Sequence, residues 1–172
     1  GDPESRATAE RAFENIDKPL REDIARWQKA IEAQPGDFSA HFDLARAAEE
    51  RGDMVLAERE YRQAWKLRRD QRSLLVDLGR TGMALGKKDE AAAALLAASR
   101  GAEPRAAEEA RALMPQRYPY VYEFRRALEL DPKNVDLRRE LAYLLLAMGR
   151  KEEAEKEFEQ VLVMTPQDLL SA

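Results

Sequence analysis

The feature that most constrains this chain is a period. Gly52, in Glu49-Glu50-Arg51-Gly52-Asp53, and Gly86, in Ala84-Leu85-Gly86-Lys87-Lys88, stand 34 residues apart. Each closes one apolar-periodic segment and precedes another, which reads as a helix ended by a glycine in the left-handed conformation. The same spaced set follows each: Ala57, Tyr61, Ala64 after the first, Ala91, Leu95, Ala98 after the second, and Ala154, Phe158, Val161 after Gly149. Small, large, small at i, i+4, i+7 is one face of a helix. Pro132 and Pro166 are also 34 apart, and Gln34-Pro35-Gly36 marks a similar stop. Proline at these places prevents the preceding helix from continuing. A period of this size means one supersecondary unit stacked repeatedly, because no single helix pair buries its apolar face alone.

Composition agrees with helices and excludes a sheet. Ala, Leu, Glu, Lys and Arg supply 100 of the 172 residues, while Val, Ile and Thr together supply 12. Strands draw on the residues that are scarce here, and helices on those that dominate.

The pattern resembles the tetratricopeptide repeat (TPR) family. Leu44-Ala45, Leu78-Gly79 and Leu141-Ala142 match the Leu followed by Gly or Ala of that family's first helix, and the glycine turn, the spaced Ala-large-Ala set and the closing Pro follow. The resemblance implies an all-α, right-handed α-α superhelix of about five helix-turn-helix repeats. Units fall near 4–37, 38–71, 72–100, 101–134 and 135–168, giving ten helices in antiparallel pairs with first helices on the concave face. The bulky residue that the family often places fourth in each unit is replaced by Ala7, His41, Leu75, Pro104 and Arg138.

Two units depart from the pattern. The step from the third to the fourth is 29 residues, and Pro115 stands where a glycine turn is expected, followed by Arg117-Tyr118-Pro119-Tyr120. Shortened helices or an altered packing angle are expected there. The first unit is weak in its first helix, where Glu10 and Arg11 occupy slots that ought to be buried, whereas Leu20 to Ala33 with Trp27, Ala30 and Ile31 makes a convincing second helix. The last helix, ending Val161-Leu162-Val163-Met164, is apolar on more than one side, and Leu169-Leu170 read as the opening of another helix. A continuing chain, a partner or a second copy is expected to cover that end.

Little in the sequence points to chemistry. The net charge of -4 and pI near 5.3 argue against a nucleic-acid binder. The longest apolar runs, Ala91 to Ala98 and Leu141 to Met148, are far short of the roughly 20 residues that cross a bilayer. With no cysteine, thiol nucleophiles and thiolate zinc sites are excluded and the compartment is left open, cytoplasm and periplasm both fitting. The chain opens on Gly1 rather than Met, which reads as a processed or cleaved start. His41 has no companion at metal-ligand spacing and reads as a packing residue. Ser39 and Ser73 read as caps or solvent-facing groups, and the Glu152 to Glu157 run as a solvated face. Tyr118 with Tyr122 reads as a staple at a helix start, with Phe124 and Ala127 at packing positions. Neither a catalytic residue, a metal nor a cofactor is expected.

The resemblance also implies which residues face a ligand: Ser39, Phe42, Arg46 and Glu49 in the second unit, Ser73, Val76, Arg80 and Met83 in the third, and Asp136, Arg139, Tyr143 and Leu146 in the fifth, with Arg105 and Glu109 in the fourth. From these, Phe42, Arg46, Val76, Arg80, Arg139 and Tyr143 form the expected partner-binding set, with Arg46 and Arg80 expected on one line. Arginine beside an exposed aromatic is the usual makeup of an interaction hot spot. Against this, Asp43 and Asp77 precede Arg46 and Arg80 by three residues, a spacing that lets each arginine pair on its own helix. The Lys and Asn set with which some members hold a C-terminal carboxylate is missing, Thr8, Ala12, Phe42 and Arg46 standing in its slots. The expected function is a non-catalytic scaffold presenting a concave groove to a peptide or protein. The alternative is a self-assembling or connecting module that uses its apolar C-terminal face.

Overall fold

A computed structural model describes residues 2–165, and every regular element in that span is an α-helix. The chain divides into two compact units, the first ending at Arg68 and the second beginning at Arg69.

The first unit holds α1 (Pro3–Ala33), α2 (Phe38–Arg51) and α3 (Met54–Leu67). Asp37 caps α2 by accepting from the Ala40 N–H (3.2 Å), and Asp53 caps α3 by accepting from the Leu56 N–H (3.1 Å). Between them Gly52 turns the chain at φ 88°, a backbone conformation that costs glycine little and other residues more. Ile24, Leu44 and Ala47 form the core of the pair α1 and α2, with Leu20, Trp27, Ile31 and Leu56 packed against it. Ala57, Tyr61 and Ala64 are buried on α3 as their spacing predicts. His41 is buried too: its Nε2–H donates to the Pro35 carbonyl (2.7 Å), and its Nδ1 meets the Glu60 carboxyl at 2.5 Å, tying α2 to α3 and to the turn after α1.

One difference from the sequence reading lies at the start. The helix pair expected over 4–37 is a single helix of 31 residues, with Pro19 inside it. Proline fixes φ near the helical value and removes one hydrogen bond, so by itself it bends or weakens a helix without reversing the chain. A reversal at this place lacks a left-handed glycine of the kind that turns three other hairpins, at Gly52, Gly86 and Gly149. Residues 2–16 are exposed, including Phe13 (65%) and Ile16 (68%), so the weakness of Glu10 and Arg11 as buried positions is real. Contact with the rest of the unit begins at Asp17, which accepts from Arg51 Nε and Arg21 Nε, both at 2.9 Å.

The second unit holds α4 (Ser73–Ala84), α5 (Lys88–Ser99), α6 (Pro104–Leu113), α7 (Val121–Leu130), α8 (Val135–Ala147) and α9 (Lys151–Met164). α5 packs against α4, α6 and α7, and α8 against α7 and α9. Gly86 and Gly149 turn the first and last hairpins with φ of 76° and 77°. Gly79 serves a different purpose, since a Cβ there would lie 2.4 Å from Leu95 Cδ2, so its absence lets α4 and α5 approach closely.

The short step predicted around the fourth repeat appears as two helices of ten residues each, α6 and α7. A buried polar node ties the surrounding elements together. The Arg72 guanidinium donates to the Ala97 carbonyl (3.0 Å) and pairs with Asp131. Asn134 Nδ2 donates to the same carbonyl (3.3 Å) and to Asp131 (3.0 Å), while its Oδ1 caps α8 through the Leu137 N–H (3.0 Å). Asp2, Asp37, Asp53 and Asn134 cap their helices through side chains, whereas Ser39 sits exposed inside α2 and Ser73 opens α4 without capping it. Pro166, read as a helix stop, and Leu169-Leu170 lie outside the described residues.

Candidate functional site: two first-helix faces

In the first unit, Phe38, Phe42 and Arg46 recur every fourth residue along α2 and therefore share a face. Phe38 and Phe42 are half-buried and stack in parallel, ring centroids 5.8 Å apart and planes 9° apart. Phe42 also meets the Tyr61 ring edge-on at 6.2 Å, which fixes it against α3. The exposed Arg46 guanidinium lies 5.7 Å from the Phe42 centroid, and that of Arg68, from the end of α3, lies 4.8 Å from the Phe38 centroid. The result is a row of guanidinium, ring, ring, guanidinium. Tyr61 O–H donates to Glu49 at 2.7 Å, which occupies the fourth expected ligand-facing position of α2.

In the second unit, Tyr118, Asp136, Arg139, Glu140, Tyr143, Leu144 and Ala147 line an open cavity of about 490 Å³ along α8. Tyr143 is 58% exposed, and its ring meets Phe158 edge-on at 5.1 Å, so it is held from behind while its outer side is open. Tyr118 packs on Phe124 (6.1 Å) and forms the opposite wall. Burial first, then the nearby Glu140 charge, raise its phenol above the ordinary 10.0. Arg100 donates to Glu140 at 2.9 Å, and Arg139 to Asp136 at 3.2 Å.

The expected residues therefore separate. Phe42 and Arg46 come together on α2, and Arg139 and Tyr143 line the cavity on α8. Arg80 donates to Asp77 at 2.7 Å, the local pairing that its spacing allows. Val76 has no surface to offer: it is 4% exposed, on a helix whose buried residues, from Leu74 to Gly82, lie around most of its circumference. Sequence reasoning missed Phe38, Arg68 and Tyr118. The spacing of Phe38 to Phe42 is a signal that could have found the first; Arg68 and Tyr118 reach their sites from other elements, and no local pattern announces that.

The tyrosine-rich turn differs from its reading as well. Tyr118 meets Phe124 rather than Tyr122, and Tyr122 stacks instead on Tyr120 (5.8 Å, 20°). Arg117 lies over the Tyr120 ring at 4.1 Å and donates to Glu123 at 2.8 Å. Burial pushes the Glu123 carboxyl up, but the Arg117 hydrogen bond and the Tyr120 N–H outweigh it and hold the group below its ordinary 4.5.

Among the described residues, no three His, Cys, Asp or Glu side chains gather into a group that could hold a metal ion. No helix there is long and apolar enough to cross a membrane.

No curated protein matches this chain. Solved structures similar to it include the MamA RS-1 ArsTM double mutant, at 17% identity and TM-score 0.48, covering 92% of this chain and 95% of that one. Another is MamA 41-end from Desulfovibrio magneticus RS-1, at 17% identity and TM-score 0.46, covering 91% and 95%. A third, a crystal structure of MamA, stands at 13% identity and TM-score 0.44, covering 91% and 95%. At these scores the likenesses carry no argument. Tetratricopeptide repeat families match residues 24–73 and 121–171, together more than half of the chain. Those two stretches contain the α2 face and the α8 side of the cavity, and on them the chain belongs to the tetratricopeptide repeat family.

Proposed function

We propose that the chain is a non-catalytic scaffold that captures a protein or peptide on its first-helix faces, through Phe42 and Arg46 on α2, Arg80 on α4, and Arg139 and Tyr143 on α8. Membership of a family of protein-interaction repeats supports the general role. The observation that carries the finer reading is the open cavity on α8, where a 58% exposed tyrosine, braced from behind, stands beside an arginine. Exposed aromatic and guanidinium groups held in one conformation lose little entropy on binding, which is why they dominate interaction energetics. Photo-crosslinking tests it. A crosslinking residue in place of Tyr143 should trap a discrete partner, whereas one at exposed Glu152 on α9 should not. The triple variant R46Q/R80Q/Y143A should lose the partner with its helicity unchanged, and retained capture would refute this assignment.

A second reading has its own observation. Val163 (72% exposed), Leu162 (40%), Met148 (54%) and Leu146 (46%) leave apolar surface on α8 and α9. Such a patch suits self-assembly or a connection within a larger chain. Light scattering over a concentration series separates the readings, since a strict monomer counts against self-assembly.

A further inference from the structure

We infer that the α2 face of the first unit takes an extended acidic segment, two carboxylates flanking an apolar side chain. The inference rests on reading first-helix faces as the binding surface and adds the chemistry of what one of them binds.

Two charges on this face stand without an acid. Among the described residues, neither Arg46 nor Arg68 has a carboxylate partner; each guanidinium instead lies against a phenylalanine ring. Asp43, at the spacing that pairs arginines on other helices, engages neither. The ring contact is electrostatic and leaves the guanidinium N–H donors without a carboxylate acceptor. These donors match a carboxylate in a two-pronged hydrogen bond.

Geometry then selects the ligand. The row runs from Arg46 to Phe42 (5.7 Å), to Phe38 (5.8 Å), to Arg68 (4.8 Å). An extended chain advances about 3.3 Å per residue, so about four to five residues cover that length. Side chains i, i+2 and i+4 of an extended strand point the same way. A segment of the form Glu-x-Phe-x-Glu would therefore set its acids on the two arginines and its ring on the half-buried phenylalanines. A basic segment would meet like charges at both ends, and a neutral one would leave both arginines unmatched.

Fluorescence anisotropy with the labelled peptide Gly-Glu-Ser-Phe-Ser-Glu-Gly tests this on the full chain. Its twins carry Gln or Lys in place of both Glu. The acidic peptide should bind, weaken with added salt, and outcompete both twins. Each of R46Q and R68Q should weaken it about 5-fold and the pair about 20-fold, as expected for exposed charge pairs. Variant R26Q/R150Q, which removes the same charge from arginines paired with Asp23 and Glu153, should bind it like the unaltered chain. Circular dichroism confirms that each variant is folded. Equal binding of the Gln twin, lost in Phe42→Ala, would overturn the acidic partner yet leave the face as a binding surface. Acidic-peptide binding that survives R46Q/R68Q but is lost in R80Q/R139Q would overturn this site in favour of the second unit. Failure of all three peptides to bind would overturn the inference, while the crosslinking experiment reads the broader proposal independently.

Discussion

Three first helices carry Asp-x-x-Arg, and they use it in two ways. On α4 and α8 of the second unit, Arg80 donates to Asp77 at 2.7 Å and Arg139 to Asp136 at 3.2 Å. On α2 of the first unit, Arg46 leaves Asp43 and lies over Phe42. The residue four before the arginine differs: Val76 for Arg80, Val135 for Arg139, Phe42 for Arg46. An exposed ion pair at i, i+3 is worth about 0.2 to 0.5 kcal/mol, and a guanidinium over an exposed ring about 0.5 to 1 kcal/mol. Where the residue four before the arginine is aromatic, the ring wins by a narrow margin. Arg117 adds a refinement, since it lies over Tyr120 and still bonds Glu123. Ring and carboxylate are compatible when the acid is buried and fixed, as Glu123 is at 3% exposure.

The largest test of this contrast concerns an arginine committed to a buried acid. Arg72→Ala leaves the Asp131 carboxylate, 5% exposed, without its cation; the cost should be about 3 kcal/mol, read as a lower urea midpoint. Arg46→Ala should cost under about 1 kcal/mol by the same measurement, its guanidinium being exposed over a ring, and an equal loss in both would abolish the distinction.

A smaller effect is expected from Glu123→Gln, about 2 kcal/mol at neutral pH, because a buried charge-assisted network is weakened. The group's carboxyl is held below 4.5 in the folded chain. Its stabilisation is thus present above 4.5 and is lost as pH falls through the lowered folded value. Unfolding free energies of the two proteins should differ at pH 7 and converge in strong acid. A gap independent of pH would mean that the charge is not what stabilises.

The finest test exchanges the residues that decide the arginine's position. Phe42→Val should release Arg46 to Asp43, and Val135→Phe should draw Arg139 away from Asp136, the latter with a stability change under about 0.5 kcal/mol. Arginine Nε–H chemical shifts report where each guanidinium sits. An Arg139 that stays on Asp136 in the V135F variant would break the rule inferred from the three helices.

Much of the fold is legible in the sequence because the relevant forces are local and repeated. Gly52, Gly86 and Gly149 adopt positive φ as their place after each apolar segment predicts, and the small-large-small sets of α3 and α5 are buried. Phe158 is only half-buried, since it sits on the last helix of the described residues beside Tyr143. The start is illegible for a reason equally local: periodicity places apolar residues at Ala12, Phe13 and Ile16, but periodicity continues through a single helix as readily as through two. Val76 is misplaced by the pattern because its slot belongs to a generic unit, whereas its burial depends on how closely surrounded α4 is.

What the sequence by itself determined is the helical class, the turns and the family, because helix propensity, left-handed glycines and a period near 34 act over short stretches and recur. What only the tertiary structure decided is which charges are spent. Asp43, Asp77 and Asp136 stand at one spacing from their arginines, and sequence spacing makes them equivalent. Packing separates them, because Tyr61 holds Phe42 from α3 and Arg68 arrives from the end of that helix. The balance turns on fractions of a kcal/mol contributed by residues distant in the chain, and folding alone brings those residues together.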